Sequence, residues 1–118
     1  MKQLAMLFLL LVPGLALAAA TDFARTLSVG MRGEDVRALQ KFLNTDSEMR
    51  VAEMGAGSPG NETDYFGPAT KRALIKFQEK YRGDILAPIG LTFGTGFFGP
   101  KTREKISALS VAPQNMST

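Results

Sequence analysis

The chain has 118 residues and a formal net charge of +3, and it contains no histidine and no cysteine. The absence of cysteine excludes disulfides, thiolate metal sites and thiol nucleophiles. The absence of histidine excludes a Ser-His-Asp triad and a histidine-bound zinc. Basic and acidic residues are interspersed, unlike the clustered basic face of a nucleic-acid-binding protein. The composition therefore favours a binding module over an enzyme, with no metal, cofactor or nucleic-acid partner expected.

Residues 1–18 have the layout of a secretory signal peptide. Lys2 gives the N-terminal region a positive charge, residues 4–12 are an unbroken apolar run, and small residues follow Pro13-Gly14. These features predict cleavage after residue 18 or 20. The alternative is an uncleaved anchor, but the proline and glycine interrupt a stretch that barely reaches the roughly 20 residues needed to span a bilayer. We expect an exported protein of the periplasm, cell wall or extracellular space, with no membrane attachment after cleavage.

Three segments of the mature chain have the apolar spacing of amphipathic helices. The first begins at Gly33 and stops near residues 44–46. The second begins at Gly67-Pro68, where proline suits the first helical position, and Gly83 is placed to end it. The third begins at Gly99-Pro100, and Pro113 should prevent it from extending far beyond. We expect an all-α domain over residues 23–110 and a disordered tail over residues 111–118.

Two long connections join these helices. The first, over residues 46–65, contains three glycines, one proline and several small polar residues typical of loops, and its residues 49–54 could form one short β element. The second, over residues 83–98, contains many apolar residues, which predicts that it packs onto the helices. Those apolar residues are Ile85, Leu86, Ile89, Leu91 and Phe93.

The starts of the second and third helices are internal repeats. Phe66-Gly67-Pro68-x-Thr70 returns as Phe98-Gly99-Pro100-x-Thr102, displaced by 32 residues. In this pattern the phenylalanine should pack ahead of the helix, and the threonine should face inward one turn later. The repeat predicts one supersecondary unit used twice in a compact helical domain.

Three motifs follow one another in a fixed order and cover roughly residues 23–109. They read Leu27-x-x-Gly30-x-x-Gly33-x-x-Val36-x-x-Leu39-Gln40-x-x-Leu43, Asp64-x-Phe66-Gly67-x-x-Thr70-x-x-Ala73-Leu74-x-x-Phe77-Gln78, and Gly90-Leu91 followed by Gly96-x-x-Gly99-x-x-Thr102-x-x-x-Ile106-x-x-Leu109. With these motifs the chain resembles the type 1 peptidoglycan-binding domain family, although the connection after residue 46 is longer than the family's usual turn.

The resemblance implies a compact three-helix bundle with long packed loops that binds bacterial cell-wall peptidoglycan without cleaving it. The expected partner is peptidoglycan, through its stem peptide or its glycan, bound by a monomer. A separate cell-wall enzyme is a further candidate partner. Two alternatives stay open: an envelope interaction module that kept the fold without wall binding, and a carboxylate-dependent wall hydrolase.

Five residues are candidate ligand contacts. Gln78, like Gln40, lies beside an apolar stripe and either satisfies loop backbone groups or bonds to the ligand. Each candidate aromatic precedes a Phe-Gly-Pro start and should point away from the core, where it could stack on a sugar or hold a peptide side chain. Asp64 could accept hydrogen bonds in the turn before the second helix or contact the ligand. Lys71 could pair with a ligand carboxylate. The candidates are Asp64, Tyr65, Lys71, Gln78 and Phe97.

Overall fold

The computed structural model describes the backbone of residues 23–116 and the side chains of residues 23–110, so the predicted signal peptide at 1–18 lies outside the described residues. Within this range the chain forms α1 (Glu34–Leu43), α2 (Pro68–Lys80), α3 (Arg82–Ile85), a 3-10 turn (Ala87–Ile89) and α4 (Pro100–Met116). The described residues contain no named strand, so the predicted all-α class is confirmed. None of the described helices is long and apolar enough to cross a membrane.

The helix starts follow the sequence pattern. α1 opens after Gly33 with two acidic residues in its first turn, where negative charge suits the helix dipole. α2 and α4 each begin with a proline that follows glycine, and the phenylalanine before each glycine is completely buried. Thr70 and Thr102 are buried one turn into their helices. The two Phe-Gly-Pro-x-Thr segments therefore have the same local structure, as the repeat predicts.

The hydrophobic core lies between α1, α2, the start of α4 and the segment before α1. Leu27 joins this segment to the start of α4, because its N–H and C=O pair with those of Phe98. The Phe23 ring packs edge-on against Phe98 at 4.8 Å between centroids. The buried apolar residues are Leu27, Val36, Leu39, Leu43, Met49, Val51, Phe66, Ala73, Leu74, Phe77, Ile85, Leu86, Phe98 and Ile106.

The helix ends differ from the sequence prediction. α2 ends at Lys80 rather than at Gly83, which lies inside α3. Tyr81 takes a non-helical backbone conformation between the two helices, and it is this residue that separates them. α4 continues past Pro113 to Met116 and overlaps the predicted tail. A proline removes one backbone donor, and here the helix continues through it.

The predicted β element at residues 49–54 is wrong. Met49 and Val51 are both buried in the hydrophobic core. However, the Val51 N–H donates to the side-chain oxygen of Asn44 at 2.8 Å and does not pair with a neighbouring strand. Asn44 also donates to the Gly57 carbonyl oxygen and to the Glu62 carboxylate. One side chain thus holds the long connection against the end of α1.

The second connection packs only in part. Ile85 and Leu86 are buried, as expected for a segment that covers the helices. Ile89, Leu91 and Phe93 are exposed, so the prediction that these residues pack onto the helices is wrong. Gly90, with a positive φ of 78°, follows the 3-10 turn, and the Leu91 N–H donates back to the Leu86 carbonyl oxygen at 2.9 Å. The result is an exposed apolar stretch just before the start of α4.

Candidate functional site

A buried glutamine of α1 holds the loop that leads into α2. The Gln40 side-chain oxygen accepts the Thr63 N–H at 2.6 Å, and its nitrogen donates to the Tyr65 carbonyl oxygen at 2.9 Å. The same nitrogen donates to the Thr70 hydroxyl at 3.0 Å, inside the first turn of α2. We call this arrangement of Gln40, Thr63, Tyr65 and Thr70 the first clasp.

A buried glutamine of α2 holds the start of α4 in the same way. The Gln78 side-chain oxygen accepts the N–H groups of Thr95 and Gly96 at 2.9 and 3.0 Å. Its nitrogen donates to the Phe97 carbonyl oxygen at 2.8 Å and to the Thr102 hydroxyl at 3.1 Å. These five residues form the second clasp. Of the two interpretations open for Gln78, the structure shows an amide that satisfies loop backbone groups.

The two clasps carry their aromatic side chains into different surroundings. Tyr65 is 39% exposed, and the guanidinium carbon of Arg32 lies 4.7 Å from its ring centroid. Arg32 also donates to the Asp64 carboxylate at 3.0 Å. Phe97 is 58% exposed and has no such cation over its ring among the described residues. The aromatic of the first clasp is therefore covered, and that of the second is open.

Two cavities meet at Phe97. The larger, of about 430 Å³, lies between the second clasp, the 3-10 turn and the first turn of α4. Its wall is mostly apolar and includes Ile85, Leu86, Ile89 and Pro100, with Lys101 at its edge. The smaller, of about 200 Å³, is lined by Ser28, Val29, Lys71, Thr95, Gly96 and Phe97. Phe97 lines both cavities, so its exposed ring lies between them.

Lys71 reaches this surface because position 96 is glycine. A side chain at residue 96 would place its first carbon 2.7 Å from the Cγ of Lys71, so the lysine stem lies directly against the backbone there. Gly96 also has a φ of +80°, a conformation that other residues rarely adopt. The structure thus brings together three predicted site residues, Lys71, Gln78 and Phe97. Asp64 and Tyr65 do not line either cavity.

The segment that contains the first clasp matches a family model. Residues 32–84 match the family model described as "Putative peptidoglycan binding domain". The predicted resemblance is confirmed for this segment. No curated protein and no solved structure matches the chain significantly. The match includes the first clasp and α2, and it ends before residues 95–102 of the second clasp.

The three carboxyl groups of residues 32–84 whose pKa is shifted are held in hydrogen bonds within the protein. Hydrogen bonds from Arg25 and Lys80 lower the pKa of Asp35 and of Asp46 respectively. Burial raises the pKa of Glu62, but the bond from Asn44 and nearby backbone N–H groups outweigh it, so the net shift is downward. None of these three carboxylates lines either cavity at Phe97. A general acid needs the opposite shift, toward higher pKa.

The described residues offer no cluster of three or more aspartate, glutamate, histidine or cysteine side chains that could hold a metal ion. Most residues that line the two cavities at Phe97, among them Val29 and Ile89, were not candidates in the sequence. The position of Ile89 between Pro88 and Gly90 is a usable signal, since proline and glycine mark a turn and connecting segments run over the surface. Val29 carries no comparable signal.

Proposed function

We propose that this chain is an exported protein that binds bacterial cell-wall peptidoglycan without cleaving it. The observation that carries the proposal is the match of residues 32–84 to the peptidoglycan-binding family. The open aromatic of the second clasp supplies a contact surface for a polymer. The Phe97 surface is our name for the lining of the two cavities that meet at Phe97.

The proposed contacts differ in role. Lys71 and Phe97 touch the ligand, since both are exposed at the cavities. Gln78 positions Phe97 from behind and is itself only 1% exposed. Asp64 and Tyr65 would form a secondary contact at the first clasp, where Arg32 competes for both side chains. A small, partly wet surface of this kind gives modest affinity for a single site.

Export is supported by the sequence of residues 1–20. The test is to express the full chain in a bacterium and determine the N-terminus of the purified protein by mass spectrometry. We expect a chain that begins at residue 19 or 21 in the exported fraction. A chain that stays in the cytoplasm with residue 1 intact would contradict export.

Binding without cleavage is tested with insoluble sacculi. The protein is expressed as the full chain, purified from whichever fraction contains it, and mixed with purified sacculi. We expect the protein to pellet with the wall while the turbidity of the suspension stays constant. Loss of turbidity would support the carboxylate-dependent hydrolase, and a protein that stays in the supernatant would refute wall binding.

One observation favours the second candidate, an envelope interaction module. Ile89, Leu91 and Phe93 are exposed within one short stretch, and exposed apolar groups of this kind mark protein contacts. If the protein fails to pellet with sacculi but is captured by another envelope protein, and Phe93→Ala abolishes that capture, this candidate replaces wall binding.

A further inference from the structure

The polar side chains behind Phe97 are occupied by bonds within the protein. Both acceptor positions of the Gln78 oxygen are taken by backbone N–H groups, and its nitrogen donates to the Phe97 carbonyl oxygen and the Thr102 hydroxyl. The Thr95 hydroxyl accepts the Phe97 N–H at 3.0 Å. Among the described residues no buried side-chain polar atom lacks a partner. The second clasp therefore has little hydrogen-bonding capacity left for a ligand.

The charged groups that line the two cavities at Phe97 are both cations. Lys71 lines the smaller cavity and Lys101 the larger. Lys101 has a partner, because its ammonium is 3.5 Å from the Glu104 carboxylate. Lys71 forms no ion pair with any residue in the described part of the chain. A lysine offers donors and no acceptor, so this surface favours a ligand that brings its own negative charge.

The glycan and the peptides of peptidoglycan present different chemical groups to this surface. The sugar rings present hydroxyl and amide groups, which need both donors and acceptors from a protein. The peptides attached to them carry free carboxylates and small apolar side chains. The Phe97 ring and the apolar cavity are complementary to the small apolar side chains of the peptides. The unpaired ammonium of Lys71 is complementary to their carboxylates.

We propose that the Phe97 surface recognises the stem peptide of peptidoglycan rather than its glycan. In this arrangement a peptide carboxylate pairs with Lys71, and small apolar side chains contact the Phe97 ring and enter the 430 Å³ cavity. The inference rests on the proposed function, because it names the part of the wall polymer that is bound.

The experiment compares two soluble probes by NMR titration of the ¹⁵N-labelled protein. One probe is a stem pentapeptide that ends in D-alanyl-D-alanine, and the other is a tetrasaccharide of alternating N-acetylglucosamine and N-acetylmuramic acid whose lactyl carboxyls are amidated. We expect the pentapeptide to shift the amide resonances of Gly96, Phe97 and Lys71, and the tetrasaccharide to leave them in place. Pelleting with intact sacculi is measured on the same preparation.

Lys71→Glu and Lys76→Glu are matched variants, since both lysines are exposed on α2 and Lys76 lines neither cavity. Reversing the charge at Lys71 should weaken pentapeptide binding about tenfold or more, in line with the loss of a charge-assisted contact. Lys76→Glu should weaken it far less.

The failures of the two proposals are distinguishable. If the tetrasaccharide shifts residues 95–97 and the pentapeptide does not, or if neither probe binds while sacculi still pellet the protein, peptide recognition is overturned and wall binding stands. Equal effects of the two lysine variants would remove Lys71 from the site. If intact sacculi do not pellet the protein, wall binding fails and the peptide inference fails with it.

Discussion

Gln78 donates a hydrogen bond to the main-chain oxygen of Phe97 at 2.8 Å, while the Phe97 ring remains 58% exposed. The bond fixes the backbone from which the ring projects, and it does not involve the ring. Gln40 and Tyr65 have the same relationship at 2.9 Å. In each clasp a buried amide holds the loop through its main chain, while the Phe97 ring is open and the Tyr65 ring lies under Arg32. The aromatic side chain can therefore be removed by mutation without removing the bonds that hold the loop.

Replacing Gln78 by alanine should destabilise the protein by about 2–4 kcal/mol, because it leaves two N–H groups and a carbonyl oxygen without their partner. Urea unfolding followed by circular dichroism measures the change. Lys76→Ala, on the exposed face of the same helix, should stay within about 0.5 kcal/mol of the wild type. A Gln78→Ala variant as stable as the Lys76→Ala control would contradict the role assigned to the second clasp.

The helix starts could be predicted from sequence because each depends on neighbouring residues. Pro68 and Pro100 fix the first turn locally, and the buried Phe66 and Phe98 follow from the same repeated motif. The sequence places the two glutamines at equivalent positions, but the loop backbone groups that they bond lie 17 to 25 residues further along the chain, and no local pattern specifies the path of those loops.

The candidate site was only partly predictable for the same reason. Exposure of Phe97 follows from its position beside a buried phenylalanine. The position of the Arg32 guanidinium over the Tyr65 ring does not follow from the sequence. Arg32 is distant from Tyr65 along the chain and approaches it only when residues 31–33 pair with the loop before α2. The large cavity likewise needs α3, the 3-10 turn and α4 to be packed together, and the boundary between α2 and α3 was itself predicted wrongly.

Phe97→Ala should weaken pelleting with sacculi about tenfold, in line with the loss of an aromatic contact at the centre of a binding surface. Tyr65→Ala should weaken it less, because Arg32 already covers that ring. Cosedimentation over a range of sacculus concentrations measures the difference. Neither substitution removes a clasp bond, since both clasps use the main-chain oxygen at these positions.

Phe93→Ala is the control for this comparison. Phe93 is 72% exposed in the loop just before the second clasp, but it lines neither cavity at Phe97. The Phe93→Ala variant should pellet like the wild type. All three variants, Phe97→Ala, Tyr65→Ala and Phe93→Ala, should keep the wild-type circular dichroism spectrum. If Phe97→Ala and Phe93→Ala lose equal amounts of binding, general apolar adhesion explains the interaction and the Phe97 surface does not.

Gly96→Ala should destabilise the protein more than Gly90→Ala does. Both glycines have a positive φ near 80°, so each substitution costs backbone strain of order 1 kcal/mol or more. Only at position 96 would the added methyl group also meet the Lys71 side chain, at 2.7 Å, whereas the space around position 90 is open. The difference between the urea midpoints of the two variants measures the effect of the contact with Lys71. Equal losses would show that Lys71 is not packed against this backbone.

Acid should destabilise the protein through carboxylates that are bonded in the folded state. The Arg25 guanidinium donates to Asp35 at 2.8 Å and the Val36 N–H donates at 3.0 Å, and together they hold the pKa of Asp35 below its ordinary value of 3.8. A lowered pKa in the folded state means that the unfolded chain binds the proton more readily. The contribution is therefore present above about pH 4 and is lost as the pH falls through the folded pKa.

Urea unfolding from about pH 7 down to about pH 2 tests this dependence. We expect little change in stability between about pH 5 and pH 8, since the chain has no histidine or cysteine to titrate there, and a decline below about pH 4. Asp35→Asn should lower stability at neutral pH and make the acid decline shallower, because the amide keeps its shape but cannot take up a proton. A variant with the wild-type acid slope would show that the Arg25–Asp35 pair does not contribute to stability in solution.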